Sequence, residues 1–122
     1  MIDQDDKDHF YDRLEPLLND EDVTIIKAMR GYIEVFSRTA TKGDAVRDLM
    51  AERKIASKTL ICVGDQLNDL SMLERADYGL VPSNGNPKLK KAFIPLHTHH
   101  NESIMPEVLD FIEKIPNVTK NS

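Results

Sequence analysis

Residues 60–73 read "LICVGDQLNDLSML", an apolar run, a Gly-Asp, an Asn-Asp and a second apolar run within fourteen positions. The first run, with Thr59 in front of it, shows no polar alternation and is bounded by polar residues. It therefore reads as a strand buried on both faces, as in a parallel sheet. The second run opens a helix of about Asn68–Arg75. In a parallel α/β sheet, ligands bind outside the carboxyl ends of the strands. Asp65 follows the buried strand after one glycine and stands at that edge. Asn68 and Asp69 come three and four residues later, one helical turn on, where their side chains curl back toward the same point. Two readings fit these residues. Asp and Asn are favoured first-turn and capping residues, with the glycine serving the turn. Two carboxylates and an amide at a strand edge also suit a hard cation such as magnesium, with room left for water and phosphate.

Working outward, Phe10, Leu14, Leu17 and Leu18 recur at helical spacing, which predicts an amphipathic helix over Asp8–Leu18. "VTIIKAM" (23–29) and "YIEVFSR" (32–38), joined by Arg30-Gly31, read as a β-hairpin. Thr41 is placed to cap a helix over Gly43–Lys54, whose stripe is Val46, Leu49 and Met50 with Ile55 beyond its end. After the central strand and helix come a strand "YGLV" (78–81), a turn-rich loop Pro82–Pro87 and a short helix at Lys88–Ala92. A strand at Phe93–Leu96 follows, and then a helix over Ser103–Ile115 with Ile104, Val108, Phe111 and Ile112 on one face. From residue 40 the order alternates helix and strand, which means an α/β fold with a parallel sheet. The front third has a different texture.

Two further segments bear on the site. Lys42-Gly43 opens a helix, where a lysine opposes the macrodipole. Lys42 is either a solvated surface lysine or a partner for carboxylates and phosphate. Ser83-Asn84-Gly85-Asn86 follows a strand and so belongs to the same sheet edge. It is either a plain turn before a Pro-initiated helix or a second loop lining the site.

The whole composition restricts the function classes. A net charge of −5 argues against a general nucleic-acid binder, whose phosphate contacts need excess Lys and Arg. No apolar run approaches the roughly 20 residues of a membrane span. The start, "MIDQDDKDHF", lacks the apolar stretch of a signal peptide. Cys62, the single cysteine, lies in the apolar run as a packing residue, and its usage fits a reducing, cytoplasmic setting. His97, His99 and His100 in "HTHHN" read as a solvated loop, without the spacing of a metal motif. Asp3, Asp5, Asp6, Asp8 and Asp12 read as a solvating acidic patch.

In order and spacing, "TKGDAVRDLM", "ICVGDQLNDLSMLERADYGLVPSNGNPKLKKAF" and "NESIMPEVLDFIEKI" resemble the C-terminal half of haloacid dehalogenase superfamily phosphatases, Cof-type, sugar-phosphatase-like branch. The resemblance covers about Val23–Ile115. It implies a partial Rossmann-like parallel sheet with flanking helices at residues 39–122, and a remnant helix and hairpin of an α/β cap at residues 1–38. It implies magnesium-dependent hydrolysis of a small phosphorylated metabolite. Asp65 would be a metal ligand, and Asp69 a ligand or a holder of metal-bound water. Asn68 and Asn84 would sit on the substrate phosphate or its surroundings, and Lys42 would steady nucleophile and phosphate.

Family members carry their nucleophile and acid/base in a D-x-D-x-[TV] motif after an apolar strand. Asp3-Gln4-Asp5 has no such strand before it, and Lys7 stands where Thr or Val belongs. The chain is therefore expected to begin inside the cap and to hold the metal half of the site. In the family the strand carrying the nucleophile lies beside the one carrying Asp65. Without it, "TLICV" would be an open apolar edge. We expect a homodimer, a companion chain or a rearranged fold to cover that edge. The reading from a different class is a non-catalytic remnant that serves as a binding or interaction module.

Overall fold

The computed structural model describes residues 4–29, 32–38, 41, 43–45, 47, 59–98 and 104–115. In chain order these residues form α1 (Gln4–Asn19), β1 (Val23–Met29), β2 (Tyr32–Phe36), β3 (Thr59–Gly64) and α2 (Leu70–Arg75). They continue with β4 (Tyr78–Val81), α3 (Pro87–Ala92), β5 (Ile94–Pro95) and α4 (Met105–Glu113). The strands make one sheet in the order β2-β1-β3-β4-β5. β1 and β2 are antiparallel, and every other neighbouring pair is parallel. This is the mixed α/β architecture with a mostly parallel sheet that the alternation after residue 40 requires.

The hairpin forms as expected, though its second strand ends at Phe36 rather than Arg38, and it makes one edge of the sheet that carries Asp65. β1 lies parallel to β3 from Val23↔Thr59 to Ala28↔Gly64. The β3 edge that the sequence leaves open is thus filled by a strand of the same chain, the rearranged arrangement among the three expected. The physical reason is in "VTIIKAM". Val23, Ile25 and Met29 pack on one face while Ile26 packs on the other, and both isoleucines are fully buried. Such a strand needs cover on two sides and a neighbour on each edge, which a free two-stranded ribbon cannot supply. Thr24, also buried, donates its hydroxyl to the Ser37 hydroxyl at 2.9 Å. β2 alternates between exposed and half-buried positions, as an outer strand does.

Two apolar layers sandwich the sheet. On one face Ile25, Ile61, Val63 and Leu80 meet Leu14 and Leu17 of α1 and Val108, Leu109 and Ile112 of α4. On the other, Ile26, Leu60, Cys62 and Val81 meet Ala45, Leu73 of α2 and Leu89 of α3. Burying each such aliphatic side chain is worth about 1.5–3 kcal/mol. Cys62 belongs to this layer. Burial, reinforced by the charge of Asp77, pushes its thiol up to about 12, so at neutral pH it stays a protonated packing group.

Local chemistry sets the helix ends. α1 begins at Gln4, four residues before the expected Asp8. Its middle is tied to α4 by Arg13, which bonds Asp110 at 2.6 Å and Glu113 at 2.9 Å. The Thr41 hydroxyl accepts from the Asp44 N–H at 3.1 Å, the expected cap of helical residues 43–45 and 47. Lys42, Val46 and the remainder of that expected helix lie outside the described residues, as do His99, His100 and Ser103. α4 starts at Met105, with Pro106 in its first turn. No helix among the described residues is long and apolar enough to cross a membrane.

Candidate functional site

Asp65 stands one residue beyond β3, at the carboxyl edge of the sheet, and is 6% exposed. The chain then turns through a single 3-10 turn, Leu67–Asp69, before α2 begins. The expected helix from Asn68 therefore starts as a tighter coil. Its tightness lets the Asp69 carboxylate reach back. Asp69 Oδ2 accepts from the Asp65 N–H at 3.0 Å and from the Gln66 N–H at 3.1 Å. The turn is closed on itself by one carboxylate oxygen, so Asp69 performs the capping role and still presents a charge beside Asp65.

Gly64 makes this closure possible. A Cβ there would stand 2.7 Å from Asp69 Cβ and 2.9 Å from both Cγ and Oδ2. Burial, then the charge of Asp65, raise the Asp69 carboxyl above its ordinary range, while the two backbone N–H bonds pull the other way.

A cavity of about 190 Å³ opens against this turn, lined by Asp65, Gln66, Asn68 and Asp69 on one side. The other side is Ala28 and Met29 from the end of β1 and Tyr32 and Ile33 from the start of β2. Of the residues singled out in the sequence, Asp65, Asn68 and Asp69 come together here. Asn84 is exposed on the neighbouring loop and does not line the cavity. Lys42 falls outside the described residues. Ala28, Met29, Tyr32 and Ile33, which also line the cavity, are not among the residues singled out. The signal for them was the non-alternating "VTIIKAM", which marks an interior strand as clearly as "TLICV" does.

The loop carrying Asn84 is nevertheless stitched to the site. The Asn86 N–H donates to Asp65 O at 2.9 Å, and a Cβ on Gly85 would lie 3.4 Å from Asp65 Cα. Asn86 also caps α3, its side chain accepting from the Lys88 N–H at 2.9 Å. Behind the loop, Lys90 Nζ donates to Ser83 O at 2.6 Å and the Ser83 N–H to Thr98 O at 3.0 Å. Glu107 of α4 then holds the 97–98 turn. It accepts from the His97 N–H at 2.8 Å, the Thr98 N–H at 2.8 Å and the Thr98 hydroxyl at 2.7 Å.

Burial alone would raise the Glu107 carboxyl, but these donors outweigh it and hold it below the ordinary glutamate value of 4.5. A lowered carboxyl stabilises the fold fully above the unfolded value, and that contribution is lost as pH falls through the folded one. Glu107→Gln should therefore be less stable than the parent at pH 7, with the gap closing below about pH 4. Urea midpoints between pH 7 and 3 check this. An equal gap at both ends would exclude the carboxylate as the latch.

Among the described residues no three His, Cys, Asp or Glu side chains gather as a metal cage. Magnesium does not need one. It is held by one or two carboxylates and completes its shell with water and substrate phosphate. The donors at this turn are all oxygen, and a cation against them would offset the repulsion between Asp65 and Asp69. The residues present fit that ion.

The profile of the haloacid dehalogenase-like hydrolases matches residues 1–106. A Haemophilus influenzae protein named "Putative phosphatase" is 32% identical over 94 residues, covering 77% of this chain and 35% of that protein. Phosphatase YwpJ of Bacillus subtilis is 37% identical over 70 residues, covering 57% of this chain and 25% of that one. The chain thus spans between a quarter and about a third of the length of these curated relatives.

Proposed function

The chain belongs to the haloacid dehalogenase-like hydrolase family, and on that basis we propose that its 64–69 turn is the cation- and phosphate-holding half of a phosphoric monoester hydrolase. The substrate would be a small phosphorylated metabolite. The observation that carries this reading is the joint placement of Asp65, Asn68 and Asp69 around one cavity at the carboxyl edge of β3.

In this reading Asp65 and Asp69 hold magnesium. When bound, the ion offsets negative charge on the phosphate oxygens. The Asn68 carboxamide donates to a phosphate oxygen and fixes its orientation. In this reading Lys42 contributes a positive charge to the same phosphate, and Asn84 approaches from the loop tied to Asp65. β1, the strand beside β3, ends in Ala28 and Met29, whose side chains carry no nucleophile. The reading therefore assigns to these residues the holding of cation and phosphate, and not the attack on phosphorus.

That same feature favours a second reading, a binding module that retains the half-site without turnover. A reducing, cytoplasmic setting, consistent with the single buried cysteine, belongs to the proposal as well. So does a homodimer or companion chain. With β1 on β3, such a partner would meet the outer edge of β2.

Equilibrium titration with magnesium and phosphate, run beside hydrolysis of 4-nitrophenyl phosphate, tests both readings. Magnesium-dependent phosphate binding should weaken at least about tenfold in Asp65→Asn, which removes one full charge from the donor pair. Turnover that needs magnesium and vanishes in the variant selects the hydrolase, and binding without turnover selects the module. No magnesium-dependent binding by the folded parent would sink both.

A further inference from the structure

The cavity beside Asp65 has two unlike walls. Asp65, Gln66, Asn68 and Asp69 offer oxygens and amides, whereas Ala28, Met29, Tyr32 and Ile33 are apolar or aromatic. Ala28 and Met29 are buried, but Tyr32 is 77% exposed. Among the described residues three large apolar side chains stand exposed: Tyr32, Leu67 and Leu70. Tyr32 lines the cavity, Leu67 sits between the lining residues Gln66 and Asn68, and Leu70 follows Asp69.

Of the three, Tyr32 is the one that lines the cavity, and with Met29 and Ile33 its exposed ring offers an apolar wall that a ligand can cover. The cavity, about 190 Å³, is smaller than the roughly 300–1,000 Å³ of drug-sized ligand pockets, so its occupant is a compact molecule rather than a chain segment. A polyol phosphate would set its hydroxyls against Met29, Tyr32 and Ile33, which have few groups to pair with them. A ligand with an apolar or flat group would instead cover that wall and stack on the Tyr32 ring.

We infer that the ligand of this site is a phosphate monoester whose ester group is apolar or aromatic. Its phosphate lies toward Asp65, Asn68 and Asp69, and its ester group lies on Met29, Tyr32 and Ile33. The inference rests on the proposed cation and phosphate site.

Calorimetric titration with methylphosphonate and phenylphosphonate in saturating magnesium tests it, because neither compound has an ester bond to hydrolyse. Phenylphosphonate should bind about tenfold more tightly. Tyr32→Ala should lose most of that preference, and Tyr32→Phe should keep it. The exposure of Tyr32 makes both variants safe for folding. Equal affinities, a preference untouched by Tyr32→Ala, or one lost equally in Tyr32→Phe would overturn the inference and leave the cation and phosphate site standing. Failure of both compounds to bind with magnesium would overturn the site and the inference together.

Discussion

Replacing Gly64 by Ala should cost about 2–4 kcal/mol and remove magnesium binding, the larger part of it through Asp69. Gly64 ends β3, and the added methyl would stand within 2.9 Å of three atoms of the Asp69 side chain. Real Cβ atoms do not approach so closely, so the carboxylate must swing away. It then gives up both backbone N–H donors, Asp65 and Gln66, whose bonds to a charged acceptor close the turn. The same swing removes the second carboxylate from beside Asp65. Urea unfolding and a magnesium titration of Gly64→Ala read the two effects separately. A stability change under about 0.5 kcal/mol with unaltered magnesium affinity would mean that the turn does not depend on this contact.

Ile61→Ala should destabilise the chain by about 3–4 kcal/mol. Ile61 is wholly buried at the middle of the central strand, opposite Ile25 on β1 and Tyr78 on β4. It packs into the layer formed with α1 and α4. Removing its branched side chain takes away the transfer free energy and leaves a cavity between two parallel neighbours that cannot close in. Domains hold only about 5–15 kcal/mol in total, so a substantial share would go. Chemical denaturation measures it. A loss below about 1 kcal/mol would contradict a three-strand centre of β1, β3 and β4.

Much of the candidate site was legible in the sequence because it is local. Asp65 is placed by the end of an unalternating apolar run, and a spacing of four residues keeps Asp69 near it. The Thr41 cap and the Asn86-Pro87 helix start rest likewise on chemistry between near neighbours. The tighter 3-10 coil at Leu67–Asp69 was not legible, since Leu67 and Asn68 suit either coil.

The pairing of β1 with β3 is of another kind. "VTIIKAM" and "TLICV" each state, through apolar residues on both faces, that they are interior strands. Neither states which strand lies beside it. That choice is made only when the two apolar layers close around the sheet, across more than thirty residues of intervening chain. It brings Met29 and Tyr32 to face Asp65 across one cavity. By itself the sequence determined the element order, the buried central strand and the carboxylate turn at its end, all set by contacts within about one turn of chain. Tertiary structure alone decided the apolar wall opposite those carboxylates, because strand partners are selected by shared burial rather than by any neighbouring residue.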